Sequence, residues 1–326
     1  MSCRVIIVIL AVLLGMTRTA LPGQATEDIA IGAGDKAGPY YLFGRGICRL
    51  LSRVIDGMNC SLVPSPRGDA AESYSNLTNV RNGAADIGLA RSDWHYFGVT
   101  GTGPLKHLDD RMDNVRSLFS MHSQTVTLVA RGDAGITKPD DLAGKRVNIG
   151  RAYTDDRKSV DLLLAAKKWT ARDFSLAERL PRNEQTLAFC HDRIQAMFFT
   201  VSHPDAAIQQ ATEICGGVLV NLDDSAVDEI LASHPYLGRT TLPKGTYPGM
   251  TEPVRTFGAA VTVVASADAP EELVYTIVKT IFENWSDLKK MHPALQALEP
   301  ERMVRDGLTA PMHIGAVRYY REKGWL

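Results

Sequence analysis

Residues 29–43 read IAIGAGDKAGPYYLF. The apolar run predicts a strand over Ile29–Gly32, entering a glycine turn in which Gly32, Gly34 and Ala37 fit G-x-G-x-x-G/A. That spacing is the fingerprint of a dinucleotide-binding βα turn. The nucleotide reading fails at the next strand. A ribose contact needs Asp or Glu at the end of the second strand, about 20 residues on; here that strand ends LVPSPRG, with no acid before Asp69. Pro39 suits a helix start but lengthens the loop. What survives is a physical device. A glycine-rich turn opening a helix presents backbone N–H groups at the positive end of the helix dipole, a seat for carboxylate or phosphate. Gly34, Gly38, Tyr40 and Tyr41 are therefore candidate binding residues, the alternative being that Tyr41 packs in the core.

Outward from this turn, helical patterns and apolar runs alternate. A helix is predicted over Gly44–Met58, with Ile47, Leu50, Leu51, Val54 and Ile55 on one face. Strands follow at Ser61–Pro64 and Ala85–Ala90, around a helix at Ser73–Asn82. A second cycle has strands at Val126–Ala130 and Arg146–Ile149, and a short helix at Lys138–Leu142 with Thr137 as its capping candidate. An amphipathic helix covers Arg157–Lys168, and further strands fall at Ala196–Thr200, Val218–Asn221 and Thr256–Ala265. Helices at Glu271–Glu283, Ser286–Met291 and Pro311–Lys323 close the chain. This alternation predicts parallel sheets with covered faces. It gives two α/β lobes, 26–124 plus 262–326 and 125–261, with Thr256–Ala265 returning the chain to the first. A cleft is expected where the carboxyl ends of the strands converge.

The 326 residues suit about two domains at roughly 150 residues each. A net charge of −1 without a basic cluster excludes a field that holds nucleic acid. Arg4, the apolar run Val5–Leu14 and Gly23-Gln24-Ala25 have the order of a secretory signal peptide over 1–25, cleaved after Ala25. Its apolar core is too short for a span, which needs about 20 residues. The mature chain is expected in the periplasm, with only transient contact to membrane proteins. It keeps Cys48, Cys60, Cys190 and Cys215, which allow three pairings. The local pairing Cys48–Cys60 and Cys190–Cys215 is favoured because each pair flanks one predicted helix–strand unit. No C-x-x-C and no H-x-x-x-H occurs, so neither a metal nor another cofactor is expected. No G-x-S-x-G elbow or paired catalytic carboxylates mark an enzyme, and Asp155-Asp156 reads as a solvated turn.

Six blocks then carry a resemblance: GPYYLFGRGICRLL, GAADIGLARSDW, DDLAGKRVNIG, FFTVSHPDAAIQQATEIC, FENWSDLKKMHPAL and APMHIGAVRYYREKG. In order and spacing they resemble the TAXI-type solute receptors of TRAP transporters. The resemblance implies a type II periplasmic-binding-protein fold, two α/β lobes joined by crossover strands with a ligand cleft between them. It also implies a small anionic or zwitterionic ligand, glutamate and dicarboxylates among them, and delivery to a TRAP membrane permease subunit. The two cysteine pairs look like the family's bridges.

The chain departs from the family pattern at the turns. A T-G-G-S-like turn is replaced by Ala70-Ala71-Glu72-Ser73, and the glutamine before Ser92 by Arg91. A P-G-S-G-x-R turn becomes Ala152-Tyr153-Thr154-Asp155-Asp156-Arg157. Arg91 is a candidate carboxylate clamp, since its planar fork matches carboxylate geometry, or else the partner of Glu72 or Asp93. Ser73 and Thr154 are hydroxyl donors to a ligand or caps of their own helices. Arg157 is a ligand contact or an inter-lobe ion pair, and Ser92, Thr200, His203 and Tyr247 complete the candidate set. The reading is an exported receptor for a small organic acid or amino acid. The alternatives are an exported sensor for a membrane signalling partner, or an enzyme on the same fold.

Overall fold

The computed structural model describes residues 27–36, 38–65, 69–107, 111–296 and 298–326. The expected signal peptide lies outside the described residues. The strands are β1 (Glu27–Gly34), β2 (Met58–Pro64), β3 (Ile87–Arg91), β4 (Val115–Arg131), β5 (Arg146–Asn148), β6 (Leu176–Glu178), β7 (Ala196–Val201), β8 (Gly217–Val220), β9 (Leu237–Leu242) and β10 (Val254–Ser266). The helices of the first half are α1 (Pro39–Val54), α2 (Asp69–Arg81), α3 (Ser92–Thr100), α4 (Asp155–Lys167) and α5 (Arg182–Cys190). Those of the second are α6 (Ala206–Ile214), α7 (Ser225–Ser233), α8 (Glu271–Glu283), α9 (Trp285–Lys289), α10 (Pro300–Met303) and α11 (Ile314–Glu322).

Among the described residues a ten-stranded sheet runs in the order β2-β1-β3-β10-β4-β7-β5-β6, with β8 against β4 and β9 against β10. Its two ends are parallel, β1 with β2 and β3, and β5 with β6 and β7. The sheet is mixed, not wholly parallel as the alternation predicts, because β4 and β10 run antiparallel to each other and to their neighbours. Both strands are long enough to serve two neighbourhoods. Val261–Ala265 of β10 pair with β3, whereas Val254–Ala259 pair with β9. Thr125–Ala130 of β4 pair with β7, while its earlier half lies against the later half of β10.

The apolar side chains separate at the same places. Ile31, Phe43, Leu51, Phe119, Val263 and Tyr320 share one core, and Leu77, Val80, Trp94 and Val264 a satellite of it. Leu128, Val147, Phe198 and Phe257 form another core, flanked by Phe189, Phe199 and Tyr247. The change falls between Met121 and Val126 on β4 and between Phe257 and Val261 on β10. Two α/β lobes joined by two crossover strands are the result. Each lobe carries one disulfide. Cys48–Cys60 ties α1 to β2, and Cys190–Cys215 ties the ends of α5 and α6. Closing loops of this size contributes about 3 kcal/mol each on the chain-entropy estimate.

Element ends differ from the sequence expectations for local reasons. α1 begins at Pro39, not Gly44, because proline at the first helical position loses no hydrogen bond; it ends at Val54, before the Gly57 turn with φ +77°. α4 begins at Asp155, two residues earlier than expected, with Thr154 as its cap. Thr137 does not cap the turn at Pro139–Leu142; its N–H and hydroxyl both donate to Asp141, at 2.9 Å each. Strand β9, with Gly238, Arg239, Thr240 and Thr241, has no apolar alternation to betray it and exists as the hairpin partner of β10.

Candidate functional site

The carboxyl ends of β1, β3, β5 and β7 meet at the seam between the lobes. On the first lobe, Gly34 holds φ +76°, and a Cβ there would lie 2.7 Å from Glu72 Oε2. A Cβ on Gly38 would stand 3.5 Å from Glu72 Oε1, so the Glu72 carboxylate, 3% exposed, lies over the turn that opens α1. Tyr40 is buried, its hydroxyl 3.4 Å from Ser73 Oγ, which accepts the Arg91 N–H at 3.2 Å. Tyr41 is half-buried and packs against the apolar core, so burial falls mainly on the first tyrosine of the pair.

Arg91 is the centre of the seam. Its Nε and Nη2 donate to Asp93 at 3.1 and 2.5 Å, and its Nη1 meets Asp155 Oδ2 of the other lobe at 2.7 Å. Nη1 also reaches Gln124 Oε1 on β4 at 3.4 Å. Burial works to lower the guanidinium pKa, but the Asp93 and Asp155 charges override it and push the pKa up. Asp155 mirrors this: burial acts against its charge, yet Arg91 and then Lys158 hold its carboxyl below the usual range.

On the second lobe, Asp155 Oδ1 pairs with Lys158 at 3.2 Å, and the Lys158 ammonium sits 5.5 Å over the Trp94 ring across the seam. Asp156 takes both nitrogens of the Arg182 fork at 3.1 and 2.7 Å and accepts the Thr200 N–H at 2.6 Å. The Asp155-Asp156 pair is thus no solvated turn; the two side chains are 9% and 8% exposed because each meets a cation. Thr154 accepts from Arg157 N–H at 3.2 Å and donates to Arg151 O at 2.7 Å, spending its hydroxyl on its own helix. Arg157 Nε donates to Asp161 one turn on, at 2.7 Å. Thr200 Oγ1 is bonded to Ser159 Oγ at 2.8 Å.

His203 and Tyr247 form a second, neutral network. His203 Nε2 lies 2.6 Å from Thr125 Oγ1 and 2.9 Å from Thr127 Oγ1, while its Nδ1 meets the Tyr247 hydroxyl at 2.5 Å. Asp205 N–H donates to the same hydroxyl at 2.8 Å. Burial pulls the His203 pKa down to about 4, so the ring is neutral at neutral pH, and pushes that of Tyr247 up. Ser92 Oγ donates across the seam to Tyr236 O at 2.7 Å. Beside these networks a groove of about 1210 Å³ follows the crossover strands, with Thr125, His203, Tyr236, Gly258 and Ala260 in its wall.

The structure therefore brings Gly34, Gly38, Tyr40, Ser73 and Arg91 together, places Thr200 behind Asp156, and sets His203 and Tyr247 apart. Glu72, Asp93, Asp155, Asp156, Gln124, Arg182 and Lys158 are polar residues of the seam that the candidate set omits. The sequence offers Asp93, two residues from Arg91, and Glu72 as possible partners of Arg91, whereas Asp155 and Asp156 are brought in by the docking of α4. Gln124 and Arg182 carry no local signal, because only the register of β4 and the docking of α5 bring them in.

The sequence pattern of the NMT1-like family matches residues 31–324. Among solved structures, MatC from Rhodopseudomonas palustris with bound malate is similar at 15% identity and TM-score 0.50, over 93% of this chain and 98% of that one. The periplasmic aliphatic sulphonate binding protein SsuA from Escherichia coli is 12% identical, with TM-score 0.47, over 84% of this chain and 75% of that one. The alkanesulfonate-binding protein SsuA from Xanthomonas axonopodis pv. citri bound to MOPS is 13% identical, with TM-score 0.41, over 91% and 84%. The likeness to MatC is one of fold, and the arrangement is the type II periplasmic-binding-protein fold. No helix among the described residues is long and apolar enough to cross a membrane.

Proposed function

This chain belongs to the NMT1-like family, and from that premise we propose that it is an exported solute-binding receptor. In this reading residues 26–124 with 262–326 form one lobe and 125–261 the other. A small organic acid or amino acid, glutamate-like or a dicarboxylate, is captured between them and handed to a membrane permease of the TRAP type. The observation that supports it is Arg91: its fork sits buried at the seam and receives a carboxylate from across it, at 2.7 Å. Arg91, Tyr40, Ser73 and Gly34 on one side, with Thr200 on the other, are the contacts proposed for the solute. A ligand touching both lobes favours the closed arrangement by its differential affinity for it.

The test is a thermal-unfolding screen of refolded, ligand-free protein against amino acids, keto acids and dicarboxylates, with malate and glutamate in the panel. A ligand at about 100 times its Kd stabilises by about 2.7 kcal/mol, a shift read directly as a raised midpoint. A panel in which no carboxylate raises the midpoint would remove the organic-acid reading.

A further inference from the structure

We propose that Asp155 is the seam's resident carboxylate: it occupies Arg91, latches the two lobes together, and is the group an incoming carboxylate displaces. Three nitrogens of Arg91 already have partners in the chain, and only one carboxylate among them, Asp155, comes from the second lobe. Asp93 sits two residues from Arg91 on the same lobe and stays with it whatever the lobes do. The second anion seat is filled likewise, since the Glu72 carboxylate covers the Gly34–Gly38 turn. A solute carboxylate reaches the Arg91 fork only after Asp155 leaves.

The pairing is built to part. Separation breaks the contact between Arg91 and Asp155 but leaves each half with a counter-ion, Asp93 for Arg91 and Lys158 for Asp155. The cost of an uncompensated buried charge is thereby avoided, because both groups also return to water. The same separation releases Lys158 from the Trp94 ring and Tyr236 from its ring contacts with Tyr96 and Phe97, at 5.3 and 5.0 Å. Lys158 pairs with Asp155, and Ser92, next to Arg91, donates to Tyr236 O, so the ion pair and the aromatic seam open together.

The latch is independent of what the solute is; its role as a competitor rests on the receptor reading. Small-angle scattering of refolded, ligand-free mature chain tests the latch. Wild type is expected to fit the closed arrangement, and Asp155→Asn to shift to a larger radius of gyration with unchanged circular dichroism. Asp155→Ser serves as a second variant, and Asp161→Asn, which loses an exposed pair with Arg157, should overlay wild type. A wild type that fits only an opened arrangement, or Asp155 variants that overlay it, overturns the latch. Calorimetry with malate and glutamate tests the competition, with about a tenfold gain in affinity expected for Asp155→Asn when the competent state is a minor one. Equal affinity in both proteins overturns displacement while leaving the receptor reading intact. Opening without binding of either probe keeps the latch and removes the competitor role along with the organic-acid reading.

Discussion

The Arg91 cluster and the His203 cluster are both buried at strand ends, and they are made of opposite materials. Arg91, Asp93 and Asp155 are charged and straddle the two lobes. His203, Thr125, Thr127 and Tyr247 are neutral and belong to one lobe and the crossover strand entering it. The difference has a physical reason. Ions placed across a seam recover their hydration when the lobes part, so the structure need not hold them in low dielectric permanently. A neutral network inside one lobe gets no such relief and must stay satisfied for as long as that lobe is folded. One cluster should report on closure and the other on unfolding.

The largest effect expected is at Arg91. Arg91→Ala leaves Asp93 and Asp155 buried without their shared cation, a loss of about 3–5 kcal/mol for a broken buried pair. If the cluster belongs to closure, the lobes part before that cost is met. Amide exchange should then rise around Ser92 and Asp155, with only a small fall in the urea midpoint. A large fall in the midpoint with unchanged exchange at the seam would make the Arg91 cluster a core element like that of His203, and the contrast would break.

Acid separates the two clusters next. His203 titrates at 6.5 when free and at about 4 when folded, so the unfolded chain binds the proton first as the pH falls. Its contribution is complete above pH 6.5 and disappears as the pH falls towards 4, a loss on the order of 3 kcal/mol. His95 and His122, pulled by burial to about 4 and about 3, act with the same sign. Asp155 is held below 3.8, so its share is lost only below the His203 window. Urea midpoints should fall between pH 7 and 4.5 while the scattering of the folded fraction stays that of the closed form. His203→Gln should flatten the slope; an unchanged slope would place the titration elsewhere.

How much of this was legible in the sequence depends on how local each cause is. The βα alternation, the pairing of Cys48 with Cys60 and of Cys190 with Cys215, and the separation into two lobes rest on patterns within short windows. The long reach of β4 and the existence of β9 do not, because both depend on β10 returning alongside them. At the seam, Arg91 stands out as the cation that replaces the family pattern's glutamine before Ser92. Its partner Asp155 lies 64 positions away and reads as a surface turn until α4 is docked. Tyr153 nearby illustrates the point: it is 99% exposed with φ +66°, while the side chain of Asp155 two residues on is 9% exposed.

Thr154 gives the smallest and most discriminating effect. It adjoins Asp155, yet its hydroxyl accepts the Arg157 N–H and donates to Arg151 O, both within its own turn. Thr154→Ala removes an N-cap, which costs about 1 kcal/mol, and that loss should appear as fraying of the first turn of α4. Asp155 is the first residue of that turn, so the fraying loosens the seam charge without touching Arg91. A modest rise in exchange near Asp155, a midpoint lowered by about 1 kcal/mol and an unaltered affinity for the best carboxylate in the screen together would keep Thr154 a cap. A drop in affinity beyond about tenfold, roughly 1.4 kcal/mol, exceeds what the lost cap supplies. It would move the Thr154 hydroxyl into the solute's contacts and make the charged cluster a binding surface on both lobes.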